Sequence, residues 1–202
     1  MTEIEGKMDR QKYYEAVKAN LETNIFYHSL ALEACMGGIY DYLESQGGLG
    51  EREPSKEDWT LAGLIHDIDY ASETKADHPN KTREVLKKYN LEIPDSIDHL
   101  IKSHAAHTGI NPQNKAEWSI RCADSLTGLI VAVALVYPNK KLADVKVSSV
   151  LKRFLKEPHF AAGTRRDEVI LCQDADKLNI PLEKFIEICL ASMQGIATEI
   201  NL

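Results

Sequence analysis

Histidine is followed directly by aspartate once in the 202-residue chain, at His66 and Asp67 within GLIHDIDY. An imidazole and a carboxylate delivered side by side offer both metal ligation and proton transfer. The pair closes an apolar helical stretch holding Trp59, Leu61, Ala62, Leu64 and Ile65, so both side chains are carried into or beside the core. Charge placed there requires a counter-charge or a metal. The same anomaly recurs elsewhere. His28 shares a helical face with Ile25, Ala31, Leu32 and Cys35, and His104 follows Ile97, Leu100 and Ile101 on its own face. Asp124 lies in a long apolar segment with Ile120, Thr127, Gly128 and Val131 on its side.

Each of these residues alone has a plain structural account: a histidine hydrogen-bonded in the core, or Asp124 paired with Arg121 three residues earlier. Together they are harder to attribute to packing, because four separate segments each aim imidazoles or carboxylates inward. A divalent metal accounts for all of them, and a mixed His and Asp set suits iron, manganese or zinc.

The elements that must position these groups are helical. Apolar steps of three and four predict helices over about 9–22, 25–45, 57–68, 79–90, 94–106, 115–137, 147–156 and 165–178. A last helix follows Pro181, with Leu182, Phe185, Ile186, Cys189, Met193, Ile196 and Ile200 as its stripe. No segment alternates as a strand would. The expected fold class is all-α, a single domain over 1–202, with the site core over about 25–136 and basic and C-terminal helices over 138–202.

Composition narrows the partners. With 44% hydrophobic and 27% charged residues the chain can enclose a core, which excludes disorder for most of its length. A net charge of −7 disfavours polymeric nucleic acid. The longest apolar run, 126–137, is short of the ~20 residues a membrane span needs. The opening MTEIEGKMDR has no apolar core of a secretory signal, so a cytoplasmic location is expected. Cys35, Cys122, Cys172 and Cys189 stand singly among apolar neighbours and are expected as buried, reduced thiols. GGLG at 47–50 lacks the Lys-Ser/Thr ending of a phosphate loop and reads as a turn. Positive charge is concentrated over 138–166, which carries +6 against −13 for the rest. Such a segment attracts small anions to an otherwise acidic protein, unless it is simply a solvated face.

The order His28, His66-Asp67, Asp124 in an all-helical chain resembles the HD-domain superfamily of metal-dependent phosphohydrolases. His78-Pro79, and His104 within IKSHAAH, resemble the two extra histidines of the subset that binds two metals. HDIDY, ADSLTGLIVA, the Pro-Asn-Lys-Lys turn and SSVLKRFLKEPHFAAGTRR resemble a small group of predicted HD hydrolases. The likeness covers roughly residues 25–200 and implies an HD-type bundle of about eight to ten helices.

The resemblance implies that His28, His66, Asp67 and Asp124 hold one metal, and that Asp67 bridges to a second held by His78 and His104. One or two divalent ions (Fe, Mn, Zn, Ni or Mg) are therefore expected. Two such ions suit hydrolysis of a phosphate ester by an activated water, with Asp67, His104 and His107 in the catalytic role. Lys140, Lys152 and Arg165 are the candidates for the substrate phosphate. The expected substrate is a small nucleotide or phosphorylated metabolite, handled by a monomer or homodimer without a membrane. A di-iron oxygenase and a non-enzymatic nucleotide-binding domain are the alternatives. Many superfamily members have Gly-Lys where this chain has Asp69-Tyr70, so Lys75 or Lys81 would have to replace that lysine. Asp69 is expected to orient a ligand histidine or to cap a turn. His99 and His159 read as surface residues, and the loops at 47–56, 106–115 and 156–165 as borders of the pocket.

Overall fold

The computed structural model describes residues 8–202, so the reading of the first ten residues as free of a secretory signal falls mostly outside them. Among the described residues nine α-helices follow in order: α1 (Arg10–Asn20), α2 (Thr23–Ser45), α3 (Lys56–Ile65), α4 (Thr82–Lys88), α5 (Asp95–Ser103), α6 (Lys115–Leu135), α7 (Val147–Lys156), α8 (Arg166–Val169) and α9 (Leu182–Gly195). Short 3-10 turns occupy Ser72–Asp77, Ala106–Thr108, Leu142–Asp144 and Ile170–Gln173. Among the described residues there is no strand, and the fold is all-α.

Two apolar helices organise the rest. α2 packs against α3, α6 and α9, burying Phe26, Leu30, Leu32, Cys35, Met36 and Ile39. α6 is long and apolar enough to cross a bilayer by length and composition alone. Its most apolar stretch is nevertheless 67% buried against protein, because it is a core helix. It starts where the Asn114 side chain accepts from the Glu117 amide at 2.9 Å, a cap that satisfies an otherwise orphaned donor. α3 starts on a capping box, with Ser55 and Asp58 each accepting from the other's amide. All four cysteines are buried and free, as their apolar neighbours implied.

The close approach of α2 and α3 depends on Gly63. A Cβ there would lie 2.9 Å from the Glu33 Cα, 3.0 Å from its amide nitrogen and 3.1 Å from the Leu32 carbonyl carbon. These are backbone atoms and cannot swing aside. Gly63→Ala should therefore cost about 1–3 kcal/mol of stability, read as a lower denaturant midpoint. It should also weaken metal uptake, since the helices carrying His28 and His66 are forced apart. An unchanged midpoint would contradict this account of the packing.

Several boundaries differ from the helical periodicity. α3 stops at Ile65, not near 68, because the chain tightens into turns: the Ile68 amide reaches Ile65 and the Tyr70 amide reaches Asp67. His78 and Pro79 do not open α4, which starts at Thr82; they lie in the turns before it. The helix expected over 165–178 is one turn of α8 followed by a 3-10 turn. Beyond it the Asp174 carbonyl accepts from Lys177 and Asn179, replacing helical pairing. α9 ends at Gly195, and turns continue to Asn201.

Candidate metal centre

The turn after α3 leaves His66 fully buried and Asp67 9% exposed, facing residues from three other parts of the chain. His66 donates from Nδ1 to the Gly63 carbonyl at 2.9 Å. His104, just past α5, donates from Nδ1 to the Ile101 carbonyl at 2.5 Å. His28 on α2 donates from Nδ1 to the Thr127 hydroxyl at 2.9 Å, which in turn donates to the Asp124 carbonyl. His78 donates from Nδ1 to Asp69 Oδ1 at 2.6 Å, while Asp69 Oδ2 accepts from the Lys81 amide at 2.8 Å. With all four Nδ1 atoms committed as donors, the Nε2 atoms are left to ligate, and such outer partners fix ring orientation at metal sites.

Those Nε2 atoms converge in pairs. His28 and His66 bring theirs to 3.2 Å, and so do His78 and His104. Two imidazole lone pairs at that separation repel unless a cation or a proton stands between them. Asp67 joins the pairs: its Oδ2 lies 3.3 Å from His66 Nε2 and its Oδ1 lies 3.3 Å from His78 Nε2. The ligand atoms thus form two groups that could each hold a metal, His28–His66–Asp67 and Asp67–His78–His104, with Asp67 common to both. Asp124 adds Oδ1 at 2.9 Å from His28 Nε2. The mixed nitrogen and oxygen donor set fits a divalent transition metal.

Electrostatics match that arrangement. Burial works against ionisation of Asp67, but His66 and His28 outweigh it and hold the carboxyl well below its usual range. Asp124 is lowered in the same way, with burial overcome by the hydrogen bond and charge of His28. Burial and the neighbouring His66 push His104 down to about 4, so it is neutral and ready to ligate at neutral pH. His66 goes the other way: burial lowers it, yet Asp67 and Asp124 together raise it above the ordinary 6.5. A raised value means that the proton is kept as pH falls and must be displaced by an incoming metal. Metal affinity should then drop between pH 8 and pH 6, the loss approaching about tenfold per pH unit only once the pH lies below that raised value. Titration against a chromophoric chelator at the two pH values checks this, and an equal affinity at both would contradict it.

The structure brings together His28, His66, Asp67, His78, His104 and Asp124 from the candidates read in the sequence. Arg165 also reaches the cluster, donating from Nη2 to Asp124 Oδ2 at 2.5 Å and from Nε to Glu168. Arg121 is not the partner of Asp124; it donates to the Ser103 and Ile110 carbonyls, and the counter-charge comes from Arg165. Burial opposes the charge on Arg165, but Asp124 and Glu168 keep it firmly protonated. His107 is not among the converging nitrogens: its Nε2 donates to the His78 carbonyl at 2.9 Å and steadies that turn. Lys140 stands exposed in the turn after α6 and Lys152 pairs with Glu157 at 3.6 Å; neither forms a hydrogen bond or ion pair with the cluster.

The lysines weighed as substitutes are engaged elsewhere, Lys81 with Glu84 at 2.9 Å and Lys75 over the Tyr70 ring at 4.3 Å. Asp69 does both jobs considered for it, orienting His78 and capping the turn at Lys81. His159 is exposed, whereas His99 is half-buried and bonded at 2.9 Å to Glu117, which is buried in the first turn of α6. Sequence reasoning missed Thr127 as the acceptor for His28 and Glu168 as a partner of Arg165. Thr127 was visible on the Asp124 face, but Glu168 left no signal.

An all-helical bundle that brings four imidazoles and two carboxylates into one cluster defines a candidate histidine–aspartate metal site. The HD domain family matches residues 25–179, and the chain belongs to that family, within the HD superfamily of metal-dependent phosphohydrolases. Comparison with curated proteins and with solved structures returns no match.

Proposed function

We propose that the protein is a dinuclear phosphohydrolase acting on small phosphate esters, such as nucleotides or phosphorylated metabolites. The observation that carries this reading is the placement of Asp67, with one oxygen toward His28 and His66 and the other toward His78. When bound, divalent metals supply an activated water and neutralise charge on the phosphoryl oxygens. His28, His66 and Asp124 would hold one position, His78 and His104 the other, and Asp67 would serve both. Arg165, its side chain 45% exposed, pins Asp124 while keeping part of its fork available to an anion. His107 gives its Nε2 proton to the His78 carbonyl, so Nδ1 is the nitrogen through which it takes or gives a proton at the exposed edge. No side-chain nucleophile is required. Lys140 and Lys152 assist by drawing small anions to the surface, without touching the phosphate. The substrate is free in solution, not a nucleic-acid polymer or a membrane lipid, and the working unit is a monomer or homodimer in the cytoplasm.

The test is phosphate release from a panel of nucleoside monophosphates and sugar phosphates by protein loaded separately with manganese, zinc or iron. Release that a chelator abolishes and added metal restores is the expected result. No release with any metal, or oxygen uptake by the iron form, would overturn the reading in favour of a binding domain or an oxygenase.

A further inference from the structure

Arg121 is left over by the metal centre. It is 8% exposed, and among the described residues it forms no ion pair with any carboxylate. Two backbone carbonyls fix its orientation, Ser103 on Nε at 2.7 Å and Ile110 on Nη2 at 2.8 Å. Its Nη1 has no protein partner among the described residues, yet it is not sealed from solvent. The guanidinium carbon lies 6.0 Å from the centre of the Trp118 ring and no carboxylate bonds it directly, so its free N–H groups are open to an arriving oxyanion.

Its position ties it to the site. Ser103 immediately precedes His104, and Asp124 stands one turn further along α6. Arg165 and Glu168 lie close enough to act on the Arg121 charge, and Arg165 itself holds both Asp124 and Glu168. Once Asp124 serves a metal, Glu168 is the carboxylate left between two guanidiniums. Glu117 also lies close enough to act on Arg121, but its oxygens are taken by His99, the Gln113 amide and Asn114, in a protein whose net charge is −7. Planar forks of this kind take oxyanions in bidentate fashion.

We propose that Arg121, backed by Arg165, is a receptor for a second oxyanion on the ligand, so that preferred substrates are phosphate esters bearing a further phosphate or carboxylate. This rests on the reading of the cluster as a metal centre that takes the first phosphate. It names a specificity residue that does not touch the reacting phosphorus.

The experiment compares 3-phosphonopropionate with propylphosphonate, which differ by one carboxylate, as ligands of the metal-loaded protein in calorimetry, with metal content measured afterwards. The wild type should prefer 3-phosphonopropionate by about tenfold, the worth of one charge-assisted hydrogen bond. In Arg121→Gln the preference should fall to about one, with propylphosphonate affinity and metal content unchanged. A preference that survives the substitution, or equal binding by the wild type, overturns the receptor while leaving the metal-centre reading intact. Should the wild type bind neither phosphonate, the metal-centre reading falls and the receptor with it. If Arg121→Gln melts early, Arg121→Met, which keeps an apolar stem and removes charge and donors, makes the same test below its melting temperature, and an undiminished preference there is again fatal.

Discussion

Asp67→Asn should leave a folded protein that binds metal weakly at both positions and releases phosphate on the order of 1,000-fold more slowly. The substitution keeps the shape of the side chain and removes the one negative charge that both imidazole pairs share. In the wild type that carboxylate stays ionised against the penalty of burial because His66 and His28 face it. An amide in its place offers one carbonyl oxygen and an NH2 group, so one of the two positions meets a donor where an acceptor is needed. Elemental analysis and a phosphate-release assay on the same preparation read both effects. Full metal content with undiminished turnover would remove Asp67 from its bridging role.

His78→Ala should separate the two positions. It deletes one nitrogen of the Asp67–His78–His104 group and none of the His28–His66–Asp67 group. The metal-to-protein ratio should fall from near two to near one, with a rate loss of about 100-fold or more, since a single metal cannot clamp both attacking and leaving oxygens. Asp69→Asn should act on the same position more gently. Asp69 is fully buried and orients His78 through Nδ1, and losing such an orienting carboxylate typically weakens a site by about 10–100-fold. A loss of both metals in His78→Ala would show that the positions fill only together. An unchanged ratio of two would mean that His78 is not a ligand.

Much of this protein is legible in its residue order. Helical spacing locates α2 and α6 to within a few residues, because a buried face must repeat every three to four positions. The polar residues that break those faces, His28 and Asp124, are the ones the structure turns onto a common point. Legibility fails where backbone hydrogen bonding replaces side-chain pattern. The short α8 and the 3-10 turn behind it carry apolar residues at helical steps, yet the Asp174 carbonyl ends the run by accepting from Lys177 and Asn179.

Residue types and their order along the chain thus determined an all-helical architecture and pointed to His28, His66, Asp67, His104 and Asp124, since burial of a polar group at an apolar spacing is visible in one dimension; His78 entered only through the family resemblance. The resemblance implied a shared Asp67, but only the packed structure shows the four imidazoles converging as two pairs with Asp67 between them and Asp124 beside His28. It also decided that Arg165 serves Asp124 from 41 residues away, and that Gly63 lets α2 and α3 close. Such relations depend on where distant segments meet and on carbonyls that every residue possesses, and neither leaves a mark on the identity of the residues themselves.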